Sequence, residues 1–180
     1  DLNEHIKINV GYRQSAFQHI GPFKRYNKNE RDETSSFTNY NDGEVIKTYL
    51  GYEPRFAARF LLKDKSSIKV GYTHNYQYTH LSSISSVSLP TDLWFPSTEL
   101  VKPQIGTQYS LGYFKNLHKN NYEASVEVYY KNLNNLIEYK NAAQPDDNVN
   151  DNVDNQLTFG SGYSYGAEFF LKKKYGKFTG

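Results

Sequence analysis

From Gln108 to Tyr130 the chain alternates in polarity. Tyr109, Leu111 and Tyr113 interleave with Ser110 and Gly112. A polar cluster follows from Asn116 to Asn121. Then Tyr122, Ala124, Val126, Val128 and Tyr130 interleave with Glu123, Ser125, Glu127 and Tyr129. A period of two sends the two sets to opposite faces of a strand. The stretch therefore predicts a hairpin with one apolar face that ends in tyrosines and one face that carries carboxylates. Tyr122 to Tyr130 spans roughly 26 Å of strand at the usual rise. With the tilt of strands in membrane barrels, that roughly matches the ~25 Å apolar band flanked by aromatic girdles. A soluble hairpin would alternate too, but would not need tyrosine at both ends of its apolar face.

The same alternation recurs along the chain. A first strand is expected over about Glu4 to Phe17, with Ile6, Ile8, Val10 and Tyr12 on one face and Lys7, Asn9, Gly11 and Arg13 on the other. Gln18 to Gly43 is polar and predicts a long loop with room for a strand extension. A second strand, about Glu44 to Leu62, sets Tyr52, Phe56, Ala58, Phe60 and Leu62 against Glu53, Arg55 and Arg59. Pro54 cannot donate to a ladder and predicts a bulge or local break. After a turn at Lys63 to Ser66, a third strand runs to about His80, with His74 awkwardly on its apolar side. Leu81 to about Gly106 is a second long loop, holding Pro90, Pro96, Pro103 and the single tryptophan, Trp94. The hairpin's second strand continues to Tyr139. A third loop covers Lys140 to about Gly160, a sixth strand covers about Ser161 to Tyr175, and Gly176 and Lys177 begin another turn. Connections thus alternate long and short, as in outer-membrane barrels, where one end carries turns and the other long loops. Six strands are too few to close, since such barrels start at about eight. The expected fold is all-β: an antiparallel transmembrane β-barrel, of which residues 1–180 form an arc of six to seven strands within one barrel domain.

Composition narrows the classes. A net charge of +2 over 180 residues, with no basic cluster, gives no case for nucleic acid. Cysteine is absent, so no disulfide framework or zinc-thiolate site is available. Methionine is absent even at residue 1, residues 1–180 contain no signal peptide, and Phe178 to Gly180 resemble the opening of a further strand. These features lead us to expect a piece of a longer protein. No run approaches the ~20 apolar residues of a membrane helix, which leaves strands unaffected. His5, His19, His74, His80 and His118 show no metal-ligand spacing, and no nucleophile–base pair or Gly-rich phosphate loop is visible. No enzyme, cofactor or metal site is expected.

Four segments carry a family resemblance: Tyr52 to Phe60; Leu89 to Thr98 with Lys102 to Gln104; Tyr129 to Tyr139; and Ser164 to Gly180. Together they resemble the carboxy-terminal half of the barrel of a TonB-dependent outer-membrane receptor, most closely the Bacteroidetes type with an upstream carboxypeptidase-regulatory-like domain. The resemblance implies a barrel of about 22 strands with a plugged lumen. It also implies outer-membrane lipid as surroundings and energy delivered by TonB through a segment outside this sequence. It says almost nothing of the substrate.

Two groups of residues are candidates for function. Glu53, Arg55, Arg59, Glu123, Glu127 and Glu168 fall on the non-apolar parity and are expected to face the lumen. There they form a polar wall paired within itself or against the plug, or line a substrate path. Asp92, Trp94 and Phe95 lie in the proline-rich loop, where exposed aromatics are a binding signal; the competing account is packing against neighbouring loops. The acidic run from Asp146 to Asp154 lacks the glycine and terminal Glu of a hand-type calcium loop, and predicts a solvated, mobile segment. Three functions compete. One is a receptor taking up a siderophore, cobalamin-like compound, peptide or glycan. Another is a barrel subunit that binds a surface lipoprotein or larger envelope complex. The third is a passive porin or soluble barrel.

Overall fold

The computed structural model describes residues 4–31, 33–82, 93–118, 120–140 and 151–180. Its strands are β1 (Ile6–Ile20), β2 (Phe23–Lys28), β3 (Thr34–Tyr40), β4 (Val45–Leu62), β5 (Ser66–Gln77), β6 (Thr79–Ser82), β7 (Leu93–Pro96), β8 (Gln104–Leu117), β9 (Tyr122–Tyr139) and β10 (Leu157–Lys173). The six long strands form one sheet in the order β1-β4-β5-β8-β9-β10, and every pairing is antiparallel. Sheet order follows chain order, the simplest solution for strands joined by local connections. The described residues contain no α-helix, only two single-turn 3-10 segments.

Register turns the alternation of each strand into two continuous faces. One row runs Val10, Phe56, Tyr72, Tyr109, Tyr130, Tyr165 across all six strands. Four residues along the strands toward the short turns, a parallel row runs Ile6, Phe60, Ile68, Tyr113, Val126, Phe169. Most of these side chains stand in the open, with Val10 73% and Phe169 78% exposed, while Ile6, Ile68 and Tyr72 are half-buried. Soluble single-domain proteins rarely leave so wide an apolar surface uncovered. Tyrosines stack along its edge, Tyr130 on Tyr163 and Tyr163 on Tyr165, each pair at 6.3 Å between centroids.

The short connections are tight. Residues Lys63–Lys65 make one 3-10 turn, and Asn120 takes a left-handed φ of 73°, which asparagine tolerates better than most residues. The long connections hold more structure than their composition suggests. β2 and β3 pair as a separate hairpin within the first loop, and β6 pairs with β7 within the second. β1 runs three residues beyond the expected end at Phe17, and β10 begins at Leu157 rather than Ser161.

Two local breaks come from identifiable residues. The β1–β4 ladder passes through Pro54, opposite Tyr12, without a shift, whereas pairing of β4 to β5 ends at Arg55 opposite Thr73. Pro54, lacking an N–H, therefore breaks one side of its strand and not the other. His74 lies just past that break, half-buried, with Nδ1 at 2.8 Å from Thr107 Oγ1. On β9, Gly160 pairs with Leu136 and Ser161 with Asn134, so Asn135 is the extra residue of a bulge. Its φ is 57°, and its side-chain amide donates to the Pro103 carbonyl at 2.8 Å. One extra residue switches the face of all that follow. Ile137 and Tyr139 thereby join a small core with Leu157, Val101, Phe95 and Val153.

Candidate functional site

The polar face is built by the residues that alternate with the apolar rows. Glu53 is the most enclosed of its charged groups, fully buried. Arg13, directly opposite on β1, donates from Nε to Glu53 Oε2 at 2.8 Å and forms an ion pair with the same oxygen. Ser15 Oγ donates to Oε1 at 2.8 Å, which leaves the Tyr78 hydroxyl to donate to Ser15 at 2.7 Å. Tyr78 stacks on Phe17 with centroids 5.3 Å apart. Gly51 makes room for this group: a Cβ there would lie 2.3 Å from the Tyr78 hydroxyl. A buried carboxylate is tolerable only when hydrogen-bonded and paired, and each acceptor oxygen of Glu53 has a partner. The result is a fixed guanidinium, half-exposed, beside an aromatic stack.

Arg55 and Arg59 are exposed on the same face of β4. Glu127 and Glu168 stand directly opposite one another on β9 and β10. Glu123 lies nearer the short turns, 3.1 Å from Lys174 Nζ, in a solvent-accessible pair that contributes little. The six predicted charges thus share a face without converging on a point. Arg13, Ser15, Phe17 and Tyr78 were not singled out from the sequence. Their relation to Glu53 depends on a register between strands some forty residues apart, which no local pattern encodes.

At the long-loop end the three connections lock into a cap. Arg25 of β2 meets Asp154 Oδ2 at 2.9 Å, and both side chains are nearly inaccessible. Thr98 Oγ1 donates to the same oxygen at 2.7 Å, accepts the Val101 N–H at 3.1 Å, and its carbonyl accepts the Tyr49 hydroxyl at 2.7 Å. Lys28 pairs with Asp151 at 2.9 Å. Asn152 accepts the Tyr26 N–H at 2.7 Å and donates to the Lys24 carbonyl at 2.9 Å. Arg25 belongs to the loop between the first two long strands and Asp154 to the loop between the last two, so the cap spans the sheet from end to end. This corrects the expectation for the acidic run. Asp154 is tied to β2 by the buried Arg25, which needs an acidic partner, Asp151 by Lys28, and Asn152 by the β2 backbone. The part of the run at 146–150 lies outside the described residues.

The candidate loop divides in the same alternating way. Trp94 on β7 is 63% exposed. Phe95 turns into the small core and packs on His80 at 5.7 Å between centroids. Asp92 lies outside the described residues. His80 is completely buried, with Nε2 at 2.8 Å from Ser97 Oγ and Nδ1 without a partner among the described residues.

The cap should loosen as pH falls. Desolvation pushes the His80 imidazole below its ordinary value of 6.5. It does the same at His19, where Asp154 pulls upward and Arg25 downward. A released loop takes up the proton first, so the stability these histidines confer is complete above about 6.5 and lost as pH drops below it. Burial alone would raise the Asp151 carboxyl, but hydrogen bonds from Asn155 and Lys28 hold it below 3.8, so its contribution survives until much lower pH. Amide hydrogen exchange, corrected for intrinsic rate, should show protection across β2 and Asn152 to Gln156 falling between about pH 7.5 and about pH 5.5. Unchanged protection would show that histidine titration is not coupled to the cap.

A family profile described as TonB dependent receptor-like, beta-barrel, matches residues 1–179. No curated protein matches the chain. The fold is similar to that of the ferric-catecholate import receptor Fiu of E. coli K12 in its closed form, with a TM-score of 0.55 and 12% identity. The match covers 98% of this chain and 24% of that one, so the chain spans about a quarter of that receptor's length. At such low identity the likeness speaks for the fold alone. The profile, by contrast, takes in nearly every residue, and the chain belongs to the TonB-dependent receptor-like β-barrel family.

Proposed function

We propose that residues 1–180 form part of the barrel wall of an outer-membrane receptor. It imports a nutrient too large for porins, with energy delivered through TonB. The observation that carries this reading is the two-faced meander: an uncovered apolar face edged by tyrosines, a charged opposite face, and long loops confined to one end. Such a sheet suits lipid on one side and a wet lumen on the other. The receptor is of the Bacteroidetes type, with a plug and a carboxypeptidase-regulatory-like domain supplied by the rest of the polypeptide. Its substrate is a siderophore, a cobalamin-like compound, a peptide or a glycan.

Orientation tests the reading. In intact cells carrying the full-length receptor, Glu30→Cys, in the turn between β2 and β3, should react with a membrane-impermeant maleimide. Lys63→Cys should react only after the outer membrane is permeabilised. The reverse pattern would invert the topology. Equal reaction at both sites in a water-soluble protein would end the membrane reading.

The exposure of Trp94 favours a second role within the same receptor, contact with the ligand or with a surface lipoprotein that lids the mouth. Trp94→Ala should leave assembly unchanged, judged by heat-modifiable migration, and weaken binding by about 2 kcal/mol or more if the indole is a hot spot. Normal assembly with unchanged binding and uptake would make the loop ordinary packing.

A further inference from the structure

Glu53 occupies only one edge of the Arg13 guanidinium. Nε and one Nη both donate to its Oε2. A guanidinium has a second edge, the parallel N–H groups of its two Nη atoms, and among the described residues no acceptor faces it. The Arg13 side chain is 54% exposed although its partner is fully buried. Arg55 stands on the same polar face, diagonal to Arg13 and directly opposite Gly11. It is exposed, and among the described residues no ion pair reaches it. The floor between the two guanidiniums is bare backbone: a Cβ at Gly11 would meet only the Arg55 Cβ, at 3.8 Å. Two cations and one buried carboxylate leave one positive charge in excess. On the loop side the site is bounded by rings. Tyr78 crosses β4 at Gly51 to reach Ser15, with Phe17 stacked on one of its faces and Tyr76 on the other, at 5.3 Å and 6.3 Å and within 16° of parallel. The three rings are partly exposed, and with the faces of Tyr78 taken, the column presents ring edges.

We propose that Arg13, Arg55 and this ring column form a subsite for an aromatic carboxylate on the imported ligand. The free edge of Arg13 matches the two coplanar oxygens of a carboxylate, and Glu53 holds that edge in a fixed direction. One excess positive charge suits one negative charge, whereas a phosphate monoester brings nearly two. Ring edges carry the positive end of the aromatic quadrupole, so they receive the face of another aromatic ring. A sugar ring has no such face. Arg13 and Phe17 are four residues apart on one strand, roughly 13 Å, so one ligand reaches both the guanidinium and the column. The site lies toward the long loops, three residues beyond Val10 and its row of tyrosines, where a molecule entering from outside would arrive first. The inference rests on the receptor reading and narrows its substrate to molecules that bear an aromatic ring and a carboxylate.

The test uses the full-length receptor purified in detergent micelles, with para-fluorobenzoate as probe and its fluorine NMR line width as readout. The probe should bind about tenfold more tightly than para-fluorobenzamide, which keeps the ring without the charge, and inorganic phosphate should compete poorly. Arg13→Lys keeps a cation beside Glu53 but loses the fork, and should weaken binding about tenfold. Gly11→Leu alters no charge, has room for its Cβ, and should block the site. Arg55→Gln leaves the Arg13–Glu53 pair untouched and should weaken binding several-fold. Heat-modifiable migration checks that each variant assembles. Equal binding of acid and amide, competition by phosphate as strong as by benzoate, or unchanged binding in any assembled variant would each overturn the proposal. So would an assembled receptor that ignores the probe, because the free edge of Arg13 would then be covered by another part of the polypeptide. Fractionation keeps the two readings apart. A receptor found in the outer membrane that does not bind the probe refutes the subsite alone, and one absent from the outer membrane refutes the receptor reading.

Discussion

Arginine at Val126 will cost the barrel about 2–4 kcal/mol, while arginine at Ser110 will cost far less. The two positions lie on neighbouring strands and differ in face. Val126 sits midway between Tyr122 and Tyr130 on β9, in the row that holds Ile68, Tyr113 and Phe169, and is 41% exposed. If that surface meets lipid, a guanidinium there has neither water nor a counter-ion within easy reach. Ser110 is exposed on the opposite face of β8, diagonal to the Glu127 carboxylate. An arginine there stays solvated and gains a nearby opposite charge. Denaturant titration of the folded barrel in defined bilayers gives both numbers. Equal losses at the two sites would mean the faces are wrongly assigned, and greater tolerance at Val126 would invert them.

The faces were legible because strand periodicity is a local property. Tyr109, Leu111 and Tyr113 fall on one side whatever pairs with them. The alternation of long and short connections was equally plain, since turns such as His118 to Asn121 announce themselves in polar residues. What escaped the sequence depends on which strand meets which, and in what register. Glu53 could be placed on the polar parity, yet its partner Arg13 lies on another strand, and only the Arg13-to-Glu53 register brings them together. The Asn135 bulge hides in a polar run of Asn and Leu, and shifts the face of Ile137 and Tyr139 after it. The hairpin of β2 and β3 carries few apolar residues. It is held by cross-loop polar contacts to Asp151, Asn152 and Asp154 rather than by an apolar stripe of its own. Composition alone marked both partners of that contact as solvated.

The cap depends most on a single oxygen. Asp154 Oδ2 accepts from Arg25 and from Thr98, one on each of the other two long loops. Removing one member of a buried ion pair strands the other without water or partner, at a cost of about 3–5 kcal/mol. Asp154→Ala and Arg25→Ala should therefore each unlock the cap. The double variant should cost much less than their sum, since neither charge is then left alone. An Arg25→Met, Asp154→Leu pair of similar volume should restore most of the closure, because the geometry of an ion pair can be exchanged for apolar packing. The long strands keep their own ladders in all these variants. Heat-modifiable migration should stay unchanged, while hydrogen exchange across β2, β3 and Asn152 to Gln156 rises by orders of magnitude. Loss of barrel assembly along with cap protection would show that the loops and the wall fold as one unit. Additive losses in the double variant would show that Arg25 and Asp154 act separately, and that the three loops are held at points other than this oxygen.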